Sequence, residues 1–592
     1  MIFVERRRHT LAPEMLWRFG FAWALIAVIM VVSHWGAIRT LAMPDPDDTL
    51  RMVQVRDLLA GQSWWDLHQY RIAPPDGVLM HWSRLVDLPL WLVQVLLRPL
   101  LGAALAEQVA LVAVPLLTLG CAMLLAARLA WRMLVDNELI FYTCALFALA
   151  TPVTAQMQPL RIDHHGWQIV AVLGALNGLT ARTGLRAGWI SGLSIALGLT
   201  VSLELLPIAA LFAAVLVLRA VTDRSERWTP AAFLQALAIT GCAGFALTHG
   251  VRDLANHCDS LSPAWLAALV AAATSTTAIA TLPRLPLGRV VIAYAVSGAI
   301  SLLTLYLFAP ECAAGPFANL DPLVRSFWYD NVHEGKPIWF QKAPTMAQML
   351  VPPLLGLWAA IRLSATQAGW LRRFWGQYAL LLAGLIILSV LVARASAFAC
   401  AVGTVPLAWQ VREWLRQIRD LRGPLRRIAA MLAVVLVLMP GVPLLAAGKM
   451  LRGKEVPPST ATVERDCDLT AAARVLNRLP PTTVFTQIDL GPQLLALTGH
   501  KVVATAHHRA RQAMHDLIAA SIGSADAARP VLARYGVRYV MVCPDLPETG
   551  NYRRANPQGF VAALVQGNAP SWLRPVAVPA QSHLLLWEIT QP

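Results

Sequence analysis

The chain has 592 residues, enough for about four soluble domains of ordinary size. Its composition excludes that class, because hydrophobic residues make up 57% of the chain and charged residues only 14%, against roughly 45–50% and about 25% in soluble domains. The net charge of +15 would suit a nucleic-acid partner in a soluble protein. Here the arginines lie mainly in short loops between apolar runs, where they set membrane topology. The sequence therefore predicts a polytopic membrane protein with no nucleic-acid partner.

Apolar stretches long enough to cross a membrane recur along most of the chain. A crossing helix needs about 20 mostly apolar residues. Residues 88–103 are also apolar, but their two prolines and Arg98 make a partly embedded amphipathic segment an equal alternative. Thirteen stretches qualify as spans: 16–36, 107–127, 138–158, 166–181, 187–202, 204–220, 231–249, 262–282, 288–308, 347–363, 376–393, 395–411 and 428–447.

The arginines orient these spans. With the N-terminus inside, every loop assigned to the cytoplasm is basic, and the C-terminus falls outside. Outer loops 36–87 and 309–346 then belong to a transmembrane domain, 1–447. The tail, 448–592, alternates helical patterns with short β-rich runs, which predicts a periplasmic α/β domain. Its predicted strands are Thr483–Thr486, Lys501–Ala504 and Val537–Cys543, and its predicted helices are Leu469–Arg478 and Ala527–Tyr535.

The cysteines show no zinc-binding spacing. At least three of the eight lie in apolar runs, where a small buried hydrophobic role is expected. Disulfide pairing is possible among the four assigned to the outside, but their spacing does not fix the partners. These four are Cys258, Cys312, Cys467 and Cys543.

Acidic residues crowd the start of the first outer loop. Asp45, Asp47 and Asp48 repel one another unless a cation or basic groups neutralise them. Their oxygens are the ligands that Mg²⁺ and Mn²⁺ prefer. A solvated acidic turn, favoured by the neighbouring prolines, is an equal alternative.

Three other outer positions carry polar residues suited to catalysis. In the short second outer loop, Asp163 and His165 can face one metal ion with His164 turned away, although capping of the next helix is the alternative. Glu334, with His333 as a lesser ligand, precedes the tenth span, where an ordinary amphipathic loop is the alternative. Arg394 ends the eleventh span and either extends to the interface or binds a phosphate through its planar fork.

Two further segments carry histidine and arginine. His81 and Arg84 in the first loop either shape a donor or acceptor site or pack structurally against the outer domain. In the tail, the run from His507 to Arg511 could bind an anion, but a solvated basic helix start is the favoured interpretation.

These motifs together resemble the catalytic subunits of oligosaccharyltransferases, within the GT-C class of glycosyltransferases that use polyprenyl-phosphate-linked sugars. That family has thirteen spans and a C-terminal extracytoplasmic domain. Its first loop carries an Asp-Pro with an Arg six residues after the Asp, as do Asp45 and Arg51 here. Asp163-His164-His165 is similar to the aspartate–histidine motif of archaeal and eukaryotic members. Val332-His-Glu334, followed by Pro337 and Trp339, resembles the motif before the tenth span.

The resemblance implies a divalent metal, Mg²⁺ or Mn²⁺, and assigns roles to single residues. Asp47 or Asp48 could substitute for Asp45 in holding the metal, and carboxylates would also activate the acceptor. Arg394 would bind the lipid phosphate of the donor. The implied metal ligands are Asp45, Asp163, His165 and Glu334.

One motif of the family is altered. Members that glycosylate asparagine read the acceptor with a Trp-Trp-Asp sequence in the outer domain. This chain has Gln487-Ile488-Asp489-Leu490-Gly491 at that place, so both Trp residues are missing. Asp489 and Gly491 would keep the turn, whereas the missing Trp pair argues against asparagine glycosylation.

We therefore expect a glycosyltransferase in a bacterial inner membrane that moves a sugar or oligosaccharide from a polyprenyl-phosphate-type donor to a lipid, glycan or protein acceptor at the periplasmic face. A transporter or flippase of lipid-linked glycans is the alternative. That class usually has ionisable residues near mid-membrane and inverted repeats. A silent scaffold is a third possibility, but it would not explain acids, His and Arg on one face.

Overall fold

The computed structural model describes residues 12–134, 136–250, 253–282, 285–317, 320–451 and 467–590. The chain forms two compact units that do not follow chain order. The first contains Met1–Ala42, Ser83–Pro316 and His333–Gly453, and the second contains Met43–Trp82, Phe317–Val332 and Lys454–Pro592. Most of the first outer loop thus belongs to the same unit as the C-terminal tail. The predicted domain boundary, 447–448, falls within a helix, and residues 452–466 lie outside the described part.

The first unit is helical. Short 3₁₀ turns at Leu203–Leu205, His333–Gly335 and Ala393–Ala395 interrupt it at places that matter below. Its α-helices are Pro13–Ser33, Trp35–Thr40, Arg84–Leu101, Ala103–Leu134, Glu138–Leu149, Thr151–Thr154, His165–Gly178, Gly184–Val201, Leu206–Thr222, Trp228–Thr248, Pro263–Thr281, Leu287–Phe308, Ala343–Thr366, Gly369–Leu391, Ser396–Asp420, Pro424–Leu438 and Gly441–Leu451.

A helix occurs at each of the thirteen predicted spans, but not all are long enough to cross. Within the described ranges, nine helices have the length and apolar character of a span, or ten if one bent pair counts as a single span. The bent pair, Pro424–Leu438 with Gly441–Gly448, turns by 91°. Pro440 lies at this break, where the residue before a proline is disfavoured in helical conformation. The thirteenth span therefore is not one straight helix.

The ambiguous stretch 88–103 belongs to the helix Arg84–Leu101. Its polar residues face the protein, since Arg84, Asp87 and Gln94 are buried, while several leucines are exposed. Arg84 Nη1 lies 3.2 Å from Asp87 Oδ2. A helix with leucines outside and ionic groups inside fits an amphipathic segment in contact with lipid.

The second unit is built around a five-stranded mixed sheet. Before it, β1 (His68–Gln69) and β2 (Val78–Leu79) form a separate antiparallel pair. The order in the large sheet is β4-β3-β5-β7-β6, with β3–β4 and β3–β5 parallel and the pairs β5–β7 and β6–β7 antiparallel. Its strands are β3 (Thr483–Phe485), β4 (Lys501–Val502), β5 (Val537–Val542), β6 (Leu573–Pro575) and β7 (Leu585–Ile589).

Helices cover this sheet and complete an apolar core. Buried side chains of the strands, such as Val484 and Val540, pack with Leu50 and Val53 of the first outer loop. The predicted α/β character of the tail is therefore confirmed, including all three predicted strands. The helices of this unit are Pro46–Leu59, Pro322–Phe327, Leu469–Leu476, Gly491–Leu497, Arg511–Ile522, Ala525–Arg534, Pro547–Ala555 and Phe560–Val565.

Two disulfides join the four cysteines that were assigned to the outside. Cys258 pairs with Cys312 in the first unit, and Cys467 pairs with Cys543 in the second. The free cysteines include Cys144 and Cys400, both buried among apolar helices. Disulfides form and persist in oxidising compartments, whereas the orientation of the chain in the membrane stays a prediction.

Candidate active site

Asp163 lies in the tight turn before the helix that begins at His165. Its side chain is only 3% exposed. The turn packs closely, because a Cβ at Gly166 would lie 2.8 Å from Met157 Cγ and 3.1 Å from the Gln156 carbonyl oxygen. A larger residue at that position would displace the turn, so the glycine fixes where the carboxylate lies.

Both histidines of the motif contact Asp163. His164 Nδ1 lies 2.7 Å from Asp163 Oδ1, and His165 Nε2 lies 3.4 Å from Asp163 Oδ2. The two rings are 4.2 Å apart between centroids. The prediction that His164 turns away is therefore wrong, because the two consecutive residues place their rings side by side at the start of the helix.

The surroundings shift the pKa values of the two histidines in opposite directions. Burial opposes a charged His164, but the carboxylates of Asp163 and Glu204 outweigh it and raise the pKa of His164 to about 9. Burial and the neighbouring His164 lower the pKa of His165. His165 Nδ1 lies 3.2 Å from Gln168 Oε1. With Nδ1–H donating there, the lone pair of Nε2 faces Asp163, which is the form of histidine that binds metals.

Glu204 is a carboxylate that the sequence analysis did not include in the site. It lies in the 3₁₀ turn Leu203–Leu205, at the first residue of the predicted span 204–220, and its N–H donates to the Ser202 hydroxyl at 3.4 Å. Glu204 Oε2 lies 3.5 Å from His164 Nε2 and 3.6 Å from His165 Nδ1. A lone acidic residue at the end of an apolar run has no spacing signal that would reveal it.

Arg394 and Glu334 complete this group in the first unit. Arg394 Nη1 lies 2.5 Å from Glu204 Oε1, and Arg394 Nη2 lies 3.7 Å from Glu334 Oε1. The loop and the arginine turn are tied by a hydrogen bond of 2.9 Å from the Ala393 N–H to the Lys336 carbonyl. His333 is exposed, and its carbonyl accepts from Gln341 Nε2. Four predicted site residues of this unit, Asp163, His165, Glu334 and Arg394, are thus connected through Glu204. Glu334 contacts Arg394 and is not among the residues whose ligand atoms lie within 4.8 Å of one another.

The donor set of this group fits a divalent cation. One ligand atom from each of Asp163, His164 and His165 lies within 4.8 Å of the others. Two ligands of one ion, each about 2.0–2.2 Å from it, stand about 3 to 3.5 Å apart, which matches the 3.4 Å between His165 Nε2 and Asp163 Oδ2. His164 Nδ1 lies 2.7 Å from Asp163 Oδ1, so His164 can also orient this carboxylate.

The acidic cluster of the first loop lies in the second unit. Asp45 caps the helix Pro46–Leu59, its Oδ1 accepting the Asp47 N–H at 2.9 Å. Asp48 is fully buried, whereas Asp45 and Asp47 are half-buried. The alternative of a solvated acidic turn therefore does not hold for Asp48.

Arg51, His507 and His508 of this unit are buried, and His81 is half-buried. Arg51 is 0% exposed and its guanidinium lies 4.8 Å from the Trp82 ring centroid. His81 Nδ1 lies 2.8 Å from His507 Nε2, and His507 and His508 are buried. The favoured interpretation, a solvated basic helix start, is therefore wrong for His507 and His508. The helix itself begins at Arg511.

Asp489 lies in a turn that Glu548 holds. The Glu548 carboxylate accepts the N–H groups of Ile488 at 2.9 Å and of Asp489 at 3.2 Å, and the Tyr552 hydroxyl also donates to it. The helix Gly491–Leu497 follows directly, so the expected turn is present. The surrounding protein raises the pKa of Asp489, and the negative charge of Asp45 raises it further. The charge of Asp45 thus lies close enough to Asp489 to affect it.

Comparisons with solved structures agree with this architecture. Archaeal oligosaccharyltransferase AglB from Archaeoglobus fulgidus, in complex with an inhibitory peptide and a dolichol-phosphate, aligns with 94% of this chain and 72% of its own, at 13% identity and a TM-score of 0.65. The A. fulgidus enzyme tethered with an acceptor peptide aligns with 97% of this chain and 74% of its own, at 13% identity and a TM-score of 0.61. Its complex with Zn and sulfate aligns with 93% and 71%, at 14% identity and a TM-score of 0.58.

The chain has the fold of an oligosaccharyltransferase. At this level of identity the likeness shows the fold alone, and it confirms the predicted polytopic helical fold with a C-terminal α/β unit. No protein-family model and no curated protein matches the sequence.

Proposed function

We propose that this protein is a membrane glycosyltransferase that transfers a sugar or oligosaccharide from a polyprenyl-phosphate-type lipid donor to an acceptor at the periplasmic face. The observation that carries the proposal is the group formed by Asp163, His165, Glu204, Glu334 and Arg394 in a chain with this fold. Carboxylates and a neutral histidine beside an arginine suit a reaction in which negative charge develops on a leaving phosphate.

Asp163, His165 and Glu334 would hold a divalent metal, Mg²⁺ or Mn²⁺, and Asp45 of the second unit is an additional ligand predicted from the sequence. When bound, such an ion neutralises charge on the donor phosphate as a Lewis acid. His164 orients Asp163 through its hydrogen bond of 2.7 Å. A structure of the A. fulgidus enzyme, which has the same fold, is a complex with Zn and sulfate, so a test for a bound metal is justified here.

The proposed transfer is a nucleophilic substitution at the anomeric carbon of the sugar. The acceptor nucleophile forms a bond to C1, and the bond between C1 and the phosphate oxygen breaks with its electron pair on that oxygen. Arg394 binds the departing phosphate through its guanidinium fork. The proton of the acceptor passes to a carboxylate, a role that the sequence resemblance gives to Asp45 or Glu334.

The acceptor is a lipid, a glycan or a protein. The A. fulgidus structures contain peptides, which makes a protein acceptor a reasonable first test. This chain has Gln487 and Ile488 at the place of the family's Trp pair, so we propose an acceptor group other than the asparagine of a sequon. The turn itself, with Asp489 on it, is kept rigid by Glu548.

We place the C-terminal unit in the periplasm of a bacterium and the N-terminus in the cytoplasm. The disulfides Cys258–Cys312 and Cys467–Cys543 support an oxidising compartment for the loops and tail that contain them. The basic loops, among them the one around Arg422, support a cytoplasmic position for the opposite ends of the helices.

The test is release of label from radiolabelled polyprenyl-phosphate sugars by the purified full-length protein, with and without EDTA. We expect release of label by the wild type to depend on metal. In Asp163→Asn we expect the rate of release to fall by about tenfold to hundredfold, which is the usual effect of disturbing the residues around a bound metal. Asp253→Asn is the matched control, since Asp253 forms another aspartate–histidine pair, 2.9 Å from His257.

Equal release by the wild type and Asp163→Asn would disprove the site. Movement of intact lipid-linked glycan across vesicle membranes without release of label, abolished in Asp163→Asn, would favour the flippase alternative instead.

A further inference from the structure

Glu204 belongs to the group described above but has no role in the proposed transfer. Its two carboxylate oxygens contact different partners: Oε1 lies 2.5 Å from Arg394 Nη1, and Oε2 lies 3.5 Å and 3.6 Å from nitrogens of His164 and His165. Glu204 therefore bridges the group proposed to bind the donor phosphate and the group proposed to bind the metal.

This bridge opposes phosphate binding. The fork of Arg394 already faces two carboxylates, Glu204 at 2.5 Å and Glu334 at 3.7 Å. A phosphate that uses the same guanidinium must compete with Glu204 and would be repelled by its charge at close range. The Glu204 side chain is 41% exposed and that of Arg394 only 22%, so the glutamate has the greater freedom to move.

We propose that Glu204 is an exchangeable counter-ion of Arg394 that couples metal binding to donor binding. In the absence of donor, Glu204 pairs with Arg394. When a phosphate takes its place, the carboxylate keeps its neighbours His164 and His165 and adds negative charge beside Asp163, where a divalent cation is attracted. The inference rests on the proposed function, since it assigns Arg394 to the phosphate and Asp163 to the metal.

The coupling must run in both directions. A cation at Asp163 draws Glu204 away from Arg394 and frees the guanidinium, so metal strengthens phosphate binding to the extent that phosphate strengthens metal binding. A glutamine at this position removes the charge that both partners share. The affinities for phosphate and metal should then become more nearly independent.

The experiment measures binding instead of turnover. The purified full-length protein in nanodiscs is titrated with a polyprenyl monophosphate that carries no sugar, in EDTA and in Mn²⁺. In EDTA we expect Glu204→Gln to bind the phosphate about two- to fivefold more tightly than the wild type, because the competing ion pair is partly exposed and modest in strength. We expect Mn²⁺ to tighten binding at least about fivefold in the wild type and clearly less in the variant.

Glu226→Gln is the matched control. Glu226 also forms an arginine pair of 2.5 Å, with Arg219, and this variant should keep both wild-type affinities and their coupling. If Glu204→Gln cannot be purified as a monodisperse protein, Glu204→Asp takes its place, since it keeps the charge but shortens the reach to Arg394.

Weaker or unchanged phosphate binding by Glu204→Gln in EDTA would overturn the exchange with Arg394. The same Mn²⁺ effect in the wild type and in Glu204→Gln would overturn the coupling. If Mn²⁺ binds none of the proteins, the coupling is overturned together with the metal part of the proposed function, while the titration in EDTA still tests the exchange on its own.

Discussion

Glu548 is a half-buried glutamate whose carboxyl group accepts hydrogen bonds from the backbone of the turn before Gly491. Burial and the negative charge of Asp489 raise the pKa of Glu548 to about 8, although Tyr552 and two backbone N–H groups oppose this shift. Between about pH 4.5 and pH 8 the folded chain therefore keeps a proton that the unfolded chain releases. Stability must fall as the pH rises through this window, because the unfolded state binds fewer protons.

We predict that Glu548→Gln reduces this pH dependence. The thermal midpoint of the wild type should fall from pH 5 to pH 9, and that of the variant should fall less, with a difference of at least about 1 kcal/mol in unfolding free energy since one pKa unit corresponds to about 1.4 kcal/mol. Tryptophan fluorescence of the full-length protein in detergent gives the midpoints. Parallel pH profiles for wild type and variant would contradict the assignment.

Glu588→Gln is the control, because the pKa of Glu588 is shifted in the opposite direction from that of Glu548. Arg574 and Arg538 lower the pKa of Glu588, so its contribution to stability is present above the ordinary carboxyl pKa and is lost only as the pH falls through the lowered value. Removing it should leave the slope between pH 5 and pH 9 as in the wild type.

Some residues of the candidate site stand in recognisable sequence motifs, and others do not. Asp163, His165, Glu334 and Arg394 could be predicted because each stands in a short polar motif between apolar spans. Glu204 could not, since one acid at a helix end has no pattern, and only its 2.5 Å contact with Arg394 reveals it. The positions of Asp45 and Asp489 in one unit likewise depend on chain folding across more than 400 residues.

At the scale of helices, close packing depends on a glycine repeat. Gly184, Gly188 and Gly192 recur every four residues along one helix, a spacing that lets membrane helices approach closely. A Cβ at Gly192 would lie 2.3 Å from the Phe233 carbonyl oxygen and 2.7 Å from Ala236 Cβ. The helices Gly184–Val201 and Trp228–Thr248 therefore touch through backbone atoms.

We predict that Gly192→Ala lowers stability by about 1 to 3 kcal/mol, the usual cost of overpacking, and so lowers the thermal midpoint of the purified protein. Gly298→Ala is the matched control, because nothing lies within 4 Å of a Cβ there and alanine favours a helix over glycine. An equal midpoint for Gly192→Ala and the wild type would show that the two helices can separate without cost.

The length of the apolar stretches predicted the positions of the helices better than it predicted their ends and breaks. The predicted span 138–158 becomes two short helices, Glu138–Leu149 and Thr151–Thr154, with Pro152 at the start of the second. The span 428–447 bends by 91° next to Pro440. Mean hydropathy over a window does not detect such prolines. In the structure a proline interrupts the helix, because it removes a backbone hydrogen-bond donor and restricts the conformation of the residue before it.

For the whole molecule, the decisive property is which side each unit faces. Each unit contains one disulfide, Cys258–Cys312 in the first and Cys467–Cys543 in the second, and disulfides form in oxidising compartments. The distribution of arginines predicts that the N-terminus and the arginine-rich loops lie in the cytoplasm.

Labelling of intact cells with a membrane-impermeant maleimide tests this orientation. We predict that Asn568→Cys, in an exposed turn of the second unit, reacts in intact cells, whereas Arg422→Cys, in an exposed arginine-rich loop, reacts only after the membrane is opened. The unmodified protein supplies the background, because its outer cysteines are held in disulfides. Reaction of Arg422→Cys but not Asn568→Cys in intact cells would invert the topology and place the candidate site on the cytoplasmic side, where a periplasmic transfer could not occur.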